Sequence, residues 1–416
     1  MKILVYSMNF WPEPTSTGKY SGEMAAWLAS RGHQVRAIAA PPYYPEWKIA
    51  KGYSGFRYKR EQNEGVDVRR CPAWIPANPN GMKRILCMLL FSMTCGWEAF
   101  KSLFWRPDVV IVVEPPISCA PVAWLFARLG RAKTWLHIQD FEVDAALQLG
   151  MLRLGVLQKF AIAADRFITQ RFDRRSTISM RMMDKMAEKT SDESRNVLFP
   201  NWVDCGQIHP LPESSFRESL NLPASQKIAL YAGNIGKKQG LEILIDAARL
   251  LQHRSDLTFV ICGNGAAFKH IHSLGNELAN IEWLPVQPFD KLNDLLNLAD
   301  VHLLPQKAGA ADLVMPSKLT GMLASGIAVL ATADEGTQVY EVVQQIGKVV
   351  QPECAEQFAA ALEELIDSPG DLDRFGLKAR AIAEDTLGRE AILGRFEQEL
   401  LACSLGRTST RVAAVT

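Results

Sequence analysis

Leu230-Tyr-Ala-Gly-Asn-Ile-Gly-Lys-Lys-Gln-Gly-Leu241 carries the chain out of an apolar strand, Ile228 to Ala232, through a glycine-bearing loop and into a helix that starts near Gly240. Ligands of open α/β sheets bind beyond the carboxyl ends of the strands, which is where this loop lies. Gly233 and Asn234 end the strand there, and Lys237 and Lys238 offer ammonium groups to diphosphate oxygens. A solvated lysine pair is the plainer reading of the same residues. A second stretch, Met315-Pro-Ser-Lys-Leu-Thr-Gly-Met-Leu-Ala-Ser-Gly326, places proline and serine at a helix start. Free amides of that turn, with Ser317 and the charge of Lys318, suit an anion. An ordinary capped core helix is the alternative.

Apolar strands alternate with helix-length segments along the chain: Ile3 to Ser7, Gln34 to Ala39, Val109 to Val113 and Thr134 to His137, then Leu257 to Cys262, Val301 to Leu304 and Ala328 to Ala331. Such alternation predicts parallel sheets covered by helices. At 416 residues the chain exceeds one ordinary core and suits two α/β domains. Pro200, Pro210, Pro212 and Pro223 punctuate a junction after Asn196. The reading is an N-terminal domain over 1–204, a C-terminal domain over 205–385, a closing helix over 386–403 free to pack back on the first domain, and a flexible tail over 404–416.

Lysine and arginine number 46 against 45 acidic residues, so no global field draws nucleic acid and any anion site is local. The opening run, Met1 to Pro12, lacks a basic flank and a small-residue cleavage site; it reads as a first strand and points to the cytoplasm. The eight cysteines are scattered without a Cys-x-x-Cys pair, and His270 and His272 lack helical metal spacing. No metal, cofactor or disulfide is expected.

The segment from Gly81 to Trp105 is nearly all apolar over Ile85 to Met93, behind Lys83 and Arg84. Glu98 and Lys101 interrupt it, which rules out a membrane span of about 20 apolar residues. Two readings stay open. One is a buried crossover helix; the other is an interfacial helix on an anionic membrane, with Trp97, Phe100, Phe104, Trp105 and Arg106 at headgroup level.

The run Trp135-Leu-His-Ile-Gln-Asp-Phe-Glu-Val-Asp144 is a strand ending in polar residues, and Gly263-Asn264-Gly265 reads as a tight turn after its strand. Taken together, these motifs resemble the retaining GT-B glycosyltransferases of family 4, and within them the bacterial exopolysaccharide enzymes of the colanic acid type, from Met1 to about Leu401. The resemblance implies an α/β GT-B fold, two Rossmann-like domains whose parallel sheets face a central cleft. It implies GDP-fucose as nucleotide-sugar donor on the C-terminal domain and a polyprenyl-diphosphate-linked sugar as acceptor on the N-terminal one. Transfer with retention would need neither metal nor protein nucleophile, at the inner face of the cytoplasmic membrane.

Carried onto this sequence, the pattern makes Gly18 the bend of the first loop, against the leaving phosphate, and Asp140 the catalytic-centre acid. Glu142 and Asp144 are solvated alternatives to Asp140, and His137 reads as a core strand histidine. Lys238 and Lys318 stabilise leaving-group charge. The chain departs from the family at several points. Asn234 and Gln239 stand where the family has Arg and Lys, and Lys238 substitutes. Leu313 and Gly321 replace a glutamate pair, leaving Asp312 for the donor sugar and Glu335 or Glu341 for the ribose. Two rivals share this pattern: a sugar-nucleotide epimerase and a catalytically silent scaffold of the polysaccharide machinery.

Overall fold

The computed structural model describes residues 1–13, 16–77, 79–148, 155–236, 239–308 and 317–407. It divides into one unit comprising Met1–Asn201 with the chain from Leu393, and a second comprising Trp202–Ile392.

The first unit holds strands β1 (Lys2–Tyr6), β2 (Gln34–Ala39), β3 (Lys59–Asn63), β4 (Val66–Arg70), β5 (Val109–Glu114), β6 (Lys133–Ile138), β7 (Arg174–Thr177) and β8 (Asn196–Leu198). Among the described residues they form one sheet in the order β3-β4-β2-β1-β5-β6-β7-β8, parallel except for β3. Its helices are α1 (Ser16–Ser30), α2 (Gly81–Trp105), α3 (Ala120–Leu129), α4 (Glu142–Gln148), α5 (Gly155–Gln170) and α6 (Met180–Lys189). Parallel strands covered on both faces read as near-continuous apolar runs, and β5, Val-Val-Ile-Val-Val-Glu, is apolar up to its last residue and buried throughout.

Three strands escape an apolar pattern. β3 and β4 form a charged hairpin closed by Glu64-Gly65, both at positive φ as a two-residue turn requires. β7, Arg-Arg-Ser-Thr, is fully buried yet polar. Most of its groups are satisfied in place: Ser176 Oγ accepts the Trp135 indole N–H at 2.8 Å and Arg175 Nε donates to Asn196 Oδ1 at 2.8 Å, while Arg174 Nε has no partner among the described residues.

The second unit holds β9 (Lys227–Ala232), β10 (Leu257–Cys262), β11 (Ile281–Leu284), β12 (Val301–Leu304), β13 (Ala328–Thr332) and β14 (Gly347–Val350). Their order is β11-β10-β9-β12-β13-β14, parallel throughout. Helices α7 (Ser215–Ser219), α8 (Glu242–Leu250), α9 (Phe268–Gly275), α10 (Leu292–Leu296), α11 (Ser317–Ser325), α12 (Gln338–Val343), α13 (Ala355–Ile366) and α14 (Pro369–Thr386) accompany them. The core joins Tyr231, Phe259 and Ile261 of the sheet to Leu244 of α8 and Phe358 of α13.

The last helix, α15 (Arg389–Ser404), contributes Phe396 to the first unit, stacked on Phe199 at 3.9 Å and edge-on to Trp135 at 5.0 Å. Glu397 meets His33 at 2.8 Å. The tail beyond Arg407 lies outside the described residues. α2 is neither wholly core nor wholly exposed. Cys87, Phe91, Cys95 and Ala99 are buried, whereas Met93 and Phe104 are 76% and 78% exposed. Trp105 is half-buried, with the Arg36 guanidinium 4.3 Å from its ring.

Candidate active site

In the second unit the carboxyl end of β9 turns at Gly233, whose φ of +149° suits a residue without a side chain. The Gly233 amide donates to the Cys262 carbonyl at 2.9 Å, tying this loop to the turn after β10. There a Cβ on Gly263 would fall 1.9 Å from the Gly233 carbonyl, and one on Gly265 would fall 2.4 Å from that of Ile235. The two loops pack backbone on backbone. Only glycine permits that approach.

Lys318, the second residue of α11, reaches into this place from 85 positions along the chain from Gly233. A Cβ on Gly233 would lie 2.8 Å from Lys318 Cδ and 3.1 Å from Nζ. Nζ donates to the Tyr231 hydroxyl at 2.7 Å and lies 4.4 Å from the centre of that ring; the hydroxyl donates to the Asn234 carbonyl at 2.6 Å. Among the described residues no carboxylate forms an ion pair with this ammonium. Burial lowers its pKa to about 8.

Of the residues expected at the donor site, the fold therefore brings Gly233, Asn234 and Lys318 together. Ser317 opens α11 beside Lys318. Lys237, Lys238, Asp312 and Leu313 lie outside the described residues. Glu335 sits exposed in the turn after β13 and Glu341 exposed within α12. Two neighbours were not anticipated. Tyr231 supplies the ring and hydroxyl under Lys318, and Lys307, after β12, packs 2.8 Å from where a Cβ of Gly240 would stand while its ammonium meets Glu242 at 3.4 Å.

In the first unit the polar groups gather at the carboxyl ends of β1, β5 and β6. Gly18 does not bend a loop, as expected from sequence; it lies within the first turn of α1. Its missing side chain makes room for Glu13, whose Oε2 would be 2.7 Å from a Cβ there. Glu13 is buried and accepts the amides of Tyr43 and Tyr44 at 3.0 Å each, and Asn9 Nδ2 at 2.9 Å. Burial raises its pKa even so.

Asp140 stands exposed just past β6. Glu142 and Asp144 are not the solvated groups expected from sequence. Glu142 Oε2 accepts the Ile117 amide at 2.8 Å, and burial, with the charges of Asp140 and Asp165, pushes its pKa up to about 7. Asp144 pairs with Lys185 at 2.9 Å and also with Lys189. Beneath them Glu114 is buried, one oxygen accepting the Glu142 amide at 3.2 Å and the other without a partner among the described residues. His137 is buried between Ser176 Oγ at 2.9 Å and Gln139 at 2.8 Å, and burial drops its pKa to about 3. It is a neutral core residue. Among the described residues no group of three His, Cys, Asp or Glu side chains is placed to hold a metal ion.

Residues 16–202 match the glycosyl transferase 4-like domain, and residues 213–382 match the glycosyl transferases group 1 domain. The chain is 40% identical over 411 residues to WcaI of Escherichia coli (strain K12), named as a colanic acid biosynthesis glycosyl transferase, covering 96% of this chain and 100% of that one. In fold it is similar to sucrose-phosphate synthase from Thermosynechococcus elongatus, with a TM-score of 0.74 at 16% identity over 96% and 99% of the two chains. It is similar also to HepE of Anabaena in complex with UDP-glucose, with a TM-score of 0.67 at 15% identity over 97% and 100%. The chain belongs to the group 1 glycosyltransferase family and is a glycosyltransferase of GT-B fold.

Proposed function

We propose that this enzyme transfers fucose from GDP-fucose, with retention, to a polyprenyl-diphosphate-linked sugar in the assembly of an exopolysaccharide of the colanic acid type. The observation that carries the donor half is Lys318, an ammonium packed on Gly233 and Tyr231 with no carboxylate to neutralise it among the described residues. A partly dehydrated cation without a counter-ion is a receptor for an anion, and a diphosphate at the carboxyl end of β9 supplies one. GDP-fucose and the lipid-linked acceptor rest on the likeness to the colanic acid relative.

In this reading Lys318, with Lys238 from the loop after β9, stabilises charge on the departing diphosphate, while Gly233, Asn234, Lys237, Asp312 and Ser317 complete the donor site. The departing phosphate takes the proton of the acceptor hydroxyl on the same face of the sugar, which retains configuration without a protein nucleophile. Asp140 lies beside the reacting centre and steadies positive charge developing on the sugar, and Gly18 serves the leaving phosphate through the first turn of α1. The enzyme works as a peripheral protein on the inner face of the cytoplasmic membrane, supported by the apolar outer stripe of α2. Among the described residues no helix is long and apolar enough to cross a membrane.

A mass-spectrometric transfer assay tests this, with GDP-fucose, UDP-glucose and other nucleotide sugars offered in turn beside a lipid-linked glucose acceptor. Fucose on the lipid, with the configuration at its anomeric carbon kept, is the expected product. Transfer from another donor alone would replace fucose, and turnover of donor without acceptor would point to an epimerase.

A further inference from the structure

We propose that α2, α3 and α5 together form one docking face for an anionic lipid bilayer, three helices wide. This deepens the membrane part of the function just proposed and rests on it. The crossovers from β4 to β5, β5 to β6 and β6 to β7 all run the same way along a parallel sheet, and their right-handedness puts the three helices on one side of it. Side chains link them edge to edge. Phe100 of α2 meets Phe126 of α3 at 6.4 Å, and the Arg171 guanidinium, just past α5, lies 5.8 Å from Trp124 of α3 and 4.3 Å from Phe167 of α5.

The outer surface of this layer is apolar. On α2 the exposed residues Met82, Leu86, Met93, Trp97, Phe100 and Phe104 follow helical spacing. Exposed apolar side chains recur on α3, at Leu125 and Leu129, and on α5, at Phe160 and Phe167, with Leu129 64% and Phe160 71% exposed. Exposed apolar surface gathered on one side of a sheet marks an interaction site.

Charge selects the occupant. Segments 81–106, 120–131 and 155–171 hold nine lysines and arginines, all exposed, and two carboxylates. Both carboxylates, Glu98 and Asp165, are buried and paired, with Lys101 at 2.8 Å and Lys189 at 2.6 Å. The face therefore presents cations around an apolar centre with no exposed carboxylate, in a chain otherwise balanced at 46 against 45. A second copy packed by a two-fold axis would set these cations against themselves. An anionic bilayer instead takes the apolar side chains at the headgroup boundary and the cations on its phosphates.

The test uses the full chain and sedimentation with vesicles of phosphatidylglycerol and phosphatidylethanolamine, against phosphatidylcholine alone. The parent is expected to bind the anionic vesicles and to leave them as salt rises. Two double variants, Phe160→Glu with Phe167→Glu and Arg128→Glu with Arg171→Glu, alter only α3, α5 and the residue after it. Each should weaken partitioning by at least about tenfold, with an unchanged circular dichroism spectrum and unchanged transfer to a soluble acceptor analogue. Parent-like binding by both variants, with binding lost in Met93→Glu with Phe104→Glu, would confine the contact to α2 and overturn the three-helix face while the membrane reading stands. A parent that ignores anionic vesicles overturns both, and sugar transfer would still be judged by its own assay. Self-association of the parent, abolished in the variants without any vesicle binding, would assign the face to a second copy.

Discussion

Lys318 and Tyr231, 87 positions apart, are joined by a 2.7 Å hydrogen bond in which the ammonium donates to the phenol. The phenol's own proton goes to the Asn234 carbonyl, so among the described residues the ammonium meets neutral groups and an aromatic face. The arrangement destabilises the lysine alone and favours it when an anion arrives.

Lys318→Ala should lower turnover by at least about tenfold, because it removes a charge-assisted contact worth about 1.5 to 3 kcal/mol to the departing diphosphate. Steady-state kinetics with a circular dichroism control checks it, and unchanged turnover would remove Lys318 from the donor site. Because burial lowers its pKa to about 8, kcat/KM of the parent should fall as pH rises through that value.

The same lysine predicts a stability effect with a defined sign. Between about pH 8 and the ordinary lysine value near 10.5 the unfolded chain binds more protons than the folded one, so stability rises with pH in that window. Below pH 8 the full cost of the buried charge is present. Lys318→Met should therefore raise Tm at pH 7 while abolishing transfer, and the gain should shrink at pH 10. Thermal melts at both pH values decide it.

Gly233→Ala should impair donor binding, since the new methyl meets the flexible end of the Lys318 side chain and pushes it aside, with a further cost from the backbone strain of its φ of +149°. Gly263→Ala should cost more stability, because its methyl meets the Gly233 carbonyl, which is backbone and cannot turn away. Donor titration and denaturant midpoints separate the two.

Asp140→Asn keeps shape and removes charge. Donor affinity should survive while transfer collapses, if the residue sits at the reacting centre; full activity would dismiss it. Glu142→Gln should behave differently. With its pKa raised from 4.5 to about 7, Glu142 loses stability for the fold as pH climbs between those values, so the glutamine variant should melt higher at pH 8 and equally at pH 4.

Gly18→Ala places a methyl 2.7 Å from the buried Glu13 carboxylate and should loosen its grip on the Tyr43 and Tyr44 amides. A loss of about 1 to 3 kcal/mol is expected by denaturant titration. An unaffected midpoint would show that Glu13 shifts without losing its partners.

The sequence alone determined the α/β class, because most parallel strands covered on both faces read as near-continuous apolar runs, and β1, β5, β9 and β10 could be found on that ground. It also determined where the second-unit loops would lie, since Gly233 and Gly263 follow such strands directly. Strand β7 could not be read: Arg175 and Ser176 are buried only because Asn196 and Trp135, distant in sequence, satisfy them. For the same reason Glu142 looked solvated, although burial and the charges of Asp140 and Asp165 raise its pKa to about 7 against the opposing pull of the Ile117 amide. Lys318 was legible as a lysine at a helix start, but the Tyr231 ring beneath it, the Gly233 backbone beside it and the absence of a paired carboxylate among the described residues were settled by the tertiary structure. Sequence records which groups a chain carries; burial, pairing and the sharing of a surface by α2, α3 and α5 depend on what the rest of the fold brings against them.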